Sequence, residues 1–204
     1  LMEHYRFGGS KAWLAKAYPA MRGAAEFFVD ALVADPETGW LVTAPSNSPE
    51  NSFLDQQGRE IQTCMGPTID NQIVRELFTN VIAAARALGQ DDPLCGKLQE
   101  LLKRLPPMQV GTKGQLLEWL KELPEAEPQH RHVSHLYGLH PGEQIDPDRS
   151  PELANAARQT LELRGDDGTG WSLAWKVCFW ARLRDGERTA KLLSRFLRPT
   201  GAKG

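Results

Sequence analysis

Long hydrophobic runs are missing from this sequence. No apolar stretch approaches the roughly 18–20 residues that a membrane-crossing helix needs, so no membrane partner is expected for these 204 residues. Cysteine is scarce. Cys64, Cys95 and Cys178 are odd in number, far apart and without metal-ligand spacing. Buried free thiols are therefore expected rather than a disulfide scaffold or a zinc site. An excess of charge of one sign is lacking too: 24 Lys and Arg face 26 Asp and Glu, a formal net charge of −2. That balance offers no general pull toward nucleic acid or an anionic membrane. There is no βαβ alternation, no glycine-rich phosphate loop and no internal repeat, which argues against a nucleotide-binding fold. The opening Leu1-Met2-Glu3-His4-Tyr5 is neither basic nor followed by an apolar core, so no leader is read there and the compartment stays open.

What is present begins with histidine. Four of the five histidines fall in the stretch His130-Arg-His-Val-Ser-His-Leu-Tyr-Gly-Leu-His140. Hydrophobic residues at 41% and charged residues at 25% are ordinary for a globular chain, and this length suits one large domain or two small ones. Leu1 to Phe7 reads as the end of a helix, as though the chain began inside a longer one. Helices are expected over about Ser10–Val33, Thr68–Leu88, Asp92–Arg104, Pro151–Arg164, Trp171–Arg184 and Gly186–Leu197. Ser10 is a plausible N-cap, and Ala17, Met21, Ala24, Ala25, Phe28 and Leu32 make one apolar stripe. Pro19 should kink or break that helix. Ile69, Ile73, Leu77, Val81 and Ala84 make the stripe of the next one, which Gly89 ends. Asp92-Pro93 supplies an N-cap followed by Pro at the first turn. Trp40–Thr43 reads as a short strand, and Gln115–Leu120 as a brief strand or turn. Residues 44–67 and 124–151 are long polar loops, and loops of that length inside a compact domain are usually functional. The series of helices with few strand signals points to an all-α layered or toroidal fold.

Four patches carry residues suited to chemistry. In Ala44-Pro-Ser-Asn-Ser-Pro-Glu50-Asn-Ser-Phe53, prolines stiffen the approach to Glu50. Glu50 is either a solvated surface charge or a positioned general acid able to protonate a leaving oxygen. In the histidine run, His130 and His132 at i, i+2 have the reach to share a metal ion, although Arg131 lies between them and no cysteine is near. The same rings could instead satisfy loop backbone groups, or bind a sugar or anion. Arg131 offers a rigid fork of donors, and His132 and His135 single directed bonds. In Arg164-Gly-Asp-Asp-Gly-Thr-Gly-Trp171, the glycines suit a helix end and a turn. They equally suit a pocket rim on which Trp171 is an apolar platform. Asp70 opens the Thr68–Leu88 helix, where it favours the positive end of the helix dipole.

Together these patches resemble the catalytic domain of glycoside hydrolase family 95, the inverting α-L-fucosidases. The stretches that carry the resemblance are Glu3-His-Tyr5, Ala44–Phe53, Thr68-Ile-Asp70-Asn-Gln-Ile-Val-Arg-Glu-Leu-Phe78, Glu127-Pro-Gln-His-Arg-His-Val-Ser-His-Leu-Tyr-Gly-Leu-His-Pro-Gly142, and Thr169-Gly-Trp-Ser-Leu-Ala-Trp-Lys176 continuing to Gly186. The resemblance implies part of an (α/α)6 toroid, with residues 1–204 as the central portion of its catalytic domain. An N-terminal β-domain, the first helices and a C-terminal segment would lie outside them. It implies Glu50 as general acid, Arg131 and His132 as contacts to fucose, and no metal or cofactor. His135, Asp70 and Trp171 join these as candidate substrate-binding residues. The expected substrate is a fucosylated oligosaccharide, with terminal fucose on galactose.

In that family an asparagine pair, polarised by an aspartate, activates the water. The Asn-x-Asn and Asp-Gly-Asn-Phe-Gly motifs that would supply them do not occur in this sequence. The chain by itself is accordingly expected to be inactive, and to expose apolar helix faces that favour self-association. Three other readings stand beside the fucosidase: an α-L-galactosidase, a non-catalytic helical carbohydrate-binding module, and a metal-dependent hydrolase using the histidines.

Overall fold

The computed structural model describes residues 1–198. About half of the chain is helical, and the strands are few and only two residues long. Two compact units divide it. One comprises Leu1–Ala44 and Asp70–Pro107, the other Pro45–Ile69 and Met108 onward.

The first unit is built on α1 (Met2–Gly8), α2 (Lys11–Ala31), α3 (Thr68–Leu88, whose first two residues belong to the second unit) and α4 (Leu94–Arg104). Ser10 caps α2, its hydroxyl accepting from the Trp13 N–H at 3.2 Å. Pro19 does not end α2, which runs through it from Lys11 to Ala31. The helix stops at Ala31 rather than Val33 because the chain turns extended there. Val33–Ala34 (β1) pairs antiparallel with Leu41–Val42 (β2), so the strand expected over Trp40–Thr43 is present and its partner lies across the Asp35–Gly39 turn. Of the expected apolar stripes, Met21, Ala25, Val81 and Ala84 are buried, and Phe28, Leu32 and Leu77 pack partly buried against the core. α2 also buries Leu14 and Tyr18 and leaves Ala24 exposed, while α3 also buries Val74, Phe78 and Ala85 and leaves Ile73 exposed. Tyr18 and Phe78 share one apolar cluster with Leu94 and Leu98 of α4.

Asp92 caps α4 through its carboxylate, which accepts from the Leu94 N–H at 2.9 Å. The same carboxylate accepts from the Tyr18 hydroxyl and Arg22 Nε, both at 2.7 Å. These bonds, Arg22's first, hold Asp92 down to about 2. Burial and the bond to Asp92 push the Tyr18 phenol well above its usual range.

The second unit is built on α5 (Pro151–Arg164), α6 (Gly170–Arg182) and α7 (Gly186–Phe196), with a 3-10 turn at Ser134–Leu136. The loop expected over residues 44–67 carries short antiparallel pairs: Ser46–Asn47 (β3) with Thr63–Cys64 (β6), and Phe53–Leu54 (β4) with Glu60–Ile61 (β5). In the 115–120 stretch, Leu116 forms a single bridge with Val110. Leu116, Val133, Leu136, Leu139, Ala157, Leu161, Leu173, Phe179 and Trp180 form the core. α6 starts with a capping box in which Thr169 and Ser172 exchange side-chain and backbone bonds, an arrangement that satisfies two otherwise orphaned N–H groups. The three cysteines are half-buried free thiols. Among the described residues, no helix is long and apolar enough to cross a membrane.

Candidate active site

Glu50 stands at the tip of a short turn closed by the Asn51 N–H donating to the Ser48 carbonyl at 2.9 Å. Its neighbours Ser48 and Asn51 point inward and are buried, while the Glu50 side chain is 63% exposed. The sequence thus buries small hydrogen-bonding side chains on either side of one outward carboxylate. The Pro49–Glu50 peptide bond is cis.

The histidine run lies in the same unit. Arg131 Nη2 donates to Glu50 Oε2 at 3.0 Å, and His132 Nε2 lies 4.0 Å from the same oxygen. Both Arg131 and Glu50 are exposed, so their ion pair is screened by water and contributes little to stability. Its consequence is positional: a guanidinium, an imidazole and a carboxylate share one surface. Burial, with Arg131 adding to it, pushes the His132 imidazole below its ordinary value. His132 is therefore neutral at pH 7 and offers one donor and one acceptor. The Trp171 ring, 63% exposed, lies 5.4 Å from the His132 ring and 4.7 Å from Trp175, which in turn lies 4.9 Å from Phe179. These α6 aromatics recur every four residues and so share one face. Trp175 Nε1 donates to the His140 carbonyl at 2.9 Å, fixing the end of the histidine run against that face.

The four histidines do different things. His132 alone stands at the Glu50 carboxylate. His130 is buried and turns inward, its Nδ1 accepting from the His132 N–H at 3.1 Å. His140 packs edge-on to Phe179. His135 is only 2% exposed, with Nδ1 3.6 Å from Glu118 Oε2. Burial lowers its pKa to about 4, opposed by Glu118 and aided by Arg164, so it is a neutral ring inside the loop, away from the exposed surface. Among the described residues, no three His, Cys, Asp or Glu side chains converge as metal ligands.

The acidic candidates have partners of their own. Asp70 belongs to the first unit, in the opening turn of α3, and accepts from the Thr43 hydroxyl at 2.6 Å. Asp166 and Asp167, at the rim expected before Trp171, are engaged by cations: Asp166 by Arg188 and Lys191, and Asp167 by Arg195 at 2.8 Å. Lys176 is fully buried and donates to the Gly165 and Asp167 carbonyls, which ties down the turn that leads to Trp171. Burial lowers its pKa to about 8.

Beneath the surface lies a polar cluster that sequence reasoning missed. Glu118 Oε1 accepts from the Ser48 hydroxyl at 2.6 Å, and Oε2 from Asn51 Nδ2 at 3.0 Å and Arg164 Nη2 at 2.6 Å. Arg164 also donates to the His132 carbonyl at 2.8 Å, the His130 carbonyl at 3.4 Å and Glu125 at 2.6 Å. Ser48 and Ser134 share a further bond at 2.6 Å. Burial works to raise the Glu118 carboxyl, but the adjacent His135, Arg164 and the bonds from Ser48 and Asn51 outweigh it and lower it below its usual value, so Glu118 stays ionised. Glu125, with burial and the nearby Glu118 against it, is raised. The signal was available in Leu116-Leu-Glu118-Trp-Leu120, where one acid sits inside an apolar run.

The sequence matches a family model described as the glycosyl hydrolase family 95 catalytic domain over residues 1–204. It is 38% identical over 194 residues to alpha-L-fucosidase 2 of Arabidopsis thaliana, an alignment covering 94% of this chain and 23% of that protein. It is 33% identical over 193 residues to probable alpha-fucosidase A of Aspergillus niger, covering 89% of this chain and 24% of the relative. A third relative, probable alpha-fucosidase A of Aspergillus oryzae, is 31% identical over 166 residues, covering 74% and 21%. The chain spans about a quarter of the length of these curated relatives.

Proposed function

The chain belongs to the glycosyl hydrolase family 95 catalytic domain, and from that premise we propose that it carries the acid half of an enzyme releasing terminal α-L-fucose, α-1,2-linked to galactose, with inversion. Its helices form part of an (α/α)6 barrel. The observation that carries the reading is the exposed carboxylate of Glu50, faced by Arg131 at 3.0 Å and His132 at 4.0 Å. The names of the relatives supply the sugar: two probable alpha-fucosidases and an alpha-L-fucosidase.

In this mechanism Glu50 protonates the glycosidic oxygen as the bond to C1 breaks. The oxygen of a water bonds to C1 from the opposite face, and its proton passes to a base. Inverting enzymes separate the acid from the water-activating group by roughly 6.5–9.5 Å to leave room for that water. Arg131 and His132 hold the sugar: the guanidinium through paired donors, the neutral imidazole through one directed bond. Trp171 supplies an apolar face beside them. The water-activating asparagines and their aspartate are not encoded in these residues, so residues 1–204 by themselves do not turn substrate over. Where the enzyme acts in its full length, proton NMR of the hydrolysis of α-L-fucosyl-(1→2)-galactose tests the reading. β-L-fucose appears before its α-anomer. Release of α-L-fucose first, or no release of fucose, overturns it.

A further inference from the structure

We propose that the buried Glu118–Arg164 pair is a clamp that sets the Glu50 carboxyl against the Arg131–His132 wall, making Glu118 a positioning residue for the proton transfer. The proposal rests on Glu50 as the general acid. Its basis is where the bonds go. Glu118 does not touch Glu50. It accepts from Ser48 and Asn51, which lie two residues before and one residue after it. Arg164 does not touch Arg131 or the His132 ring. It donates to the carbonyls of His130 and His132, on either side of Arg131. The 2.6 Å bond between Glu118 and Arg164 then joins the two loops, and the Ser48–Ser134 bond joins them a second time.

The energetics favour this reading over simple stabilisation. Both side chains of the pair are 3% exposed. A buried ion pair is a poor source of stability, since apolar residues of equal volume often do as well or better. What charge-assisted bonds to several fixed partners supply is direction. Here that direction is delivered to the two turns whose outward side chains form the candidate site. Proton donation needs the donor within hydrogen-bond reach of the leaving oxygen, and a displacement of about 1 Å can cost on the order of 100-fold in rate.

The test compares two substrates in the intact enzyme. In α-L-fucosyl-(1→2)-galactose the leaving oxygen needs a proton. In α-L-fucosyl fluoride the C–F bond breaks and fluoride departs with the electron pair, with little need of one. Loss of folded protein lowers both activities alike, whereas a misplaced acid lowers the first more. Glu118→Gln is expected to lower the ratio of kcat/KM on galactoside to that on fluoride at least about tenfold. Ser48→Ala, which removes one hydroxyl and no charge, is expected to lower it in the same direction and covers the case in which Glu118→Gln folds poorly. Glu50→Gln is the reference. If Glu50→Gln shifts the ratio and neither Glu118→Gln nor Ser48→Ala does, the clamp is overturned while the acid stands. If Glu50→Gln itself leaves the ratio unchanged, Glu50 is not the acid, and the clamp falls with it.

Discussion

Replacing Arg164 with Met removes a buried cation and keeps most of its volume. Arg164 holds Glu118 and Glu125 at 2.6 Å each and the two carbonyls of the histidine run at 2.8 and 3.4 Å. Without it, two carboxylates that share the Asn51 amide, at 3.0 and 3.2 Å, face each other with no cation between them, Glu118 buried and Glu125 partly so. Removing one partner of a buried pair costs about 3–5 kcal/mol. At about 2–4 °C per kcal/mol in a chain of this size, that is a fall of about 6–20 °C in Tm. The loss should depend on pH in a defined sense. With the cation gone, the folded pKa of at least one carboxylate rises above its unfolded value. The variant is then closest to wild type below the unfolded value, near 4, and falls further behind as pH rises through the raised folded value. Differential scanning calorimetry at pH 5 and pH 8 reads this directly. Adding Glu118→Gln to Arg164→Met should recover part of the loss, a coupling that independent sites would not show. A shift below about 2 °C, or one equal at both pH values, would refute the reasoning.

Other perturbations follow from the same geometry. His135→Gln should remove a component of stability that wild type loses as pH falls from about 6.5 toward 4, because the unfolded chain takes up a proton there that the buried ring refuses; urea midpoints at pH 7 and pH 5 measure it. Asp92→Asn should destabilise at pH 7, and the difference should fade as pH falls below about 4 toward the depressed value near 2, which an acid titration followed by circular dichroism checks. Trp171→Ala removes an exposed ring, so Tm should hold within a degree or two, while KM for the galactoside rises about fivefold for a stacking contact of ~1 kcal/mol. An unchanged KM would remove Trp171 from the site.

The helices were legible where local punctuation marks them. Thr68–Leu88 and Pro151–Arg164 start and stop where the sequence signals them, the one followed by Gly89 and the other by Gly165, both at positive φ. Boundaries set by distant partners were not legible. α2 ends early because Val33–Ala34 pairs across a turn with Leu41–Val42, and strands of two residues in 44–67 carry no periodicity to detect. Sequence singled out Glu50, Arg131, His132 and Trp171, and the fold brings these together in one unit. It also made the histidine run look like a single device, which the structure separates into one ring at the surface, two supporting rings and one buried neutral ring. Glu118 and Arg164 escaped notice because each has an ordinary local explanation, an acid on a brief strand or turn and a basic residue in a last helical turn. Their pairing across 46 residues of chain is purely tertiary.

The central claim is that Glu50 donates the proton. Glu50→Gln keeps the shape of the side chain and removes its acid. With the intact enzyme and α-L-fucosyl-(1→2)-galactose, the account predicts a fall in kcat of at least about 100-fold, in line with the typical contribution of a general acid. Calorimetry should find substrate affinity within a few-fold of wild type. Turnover that survives Glu50→Gln with binding intact would contradict it.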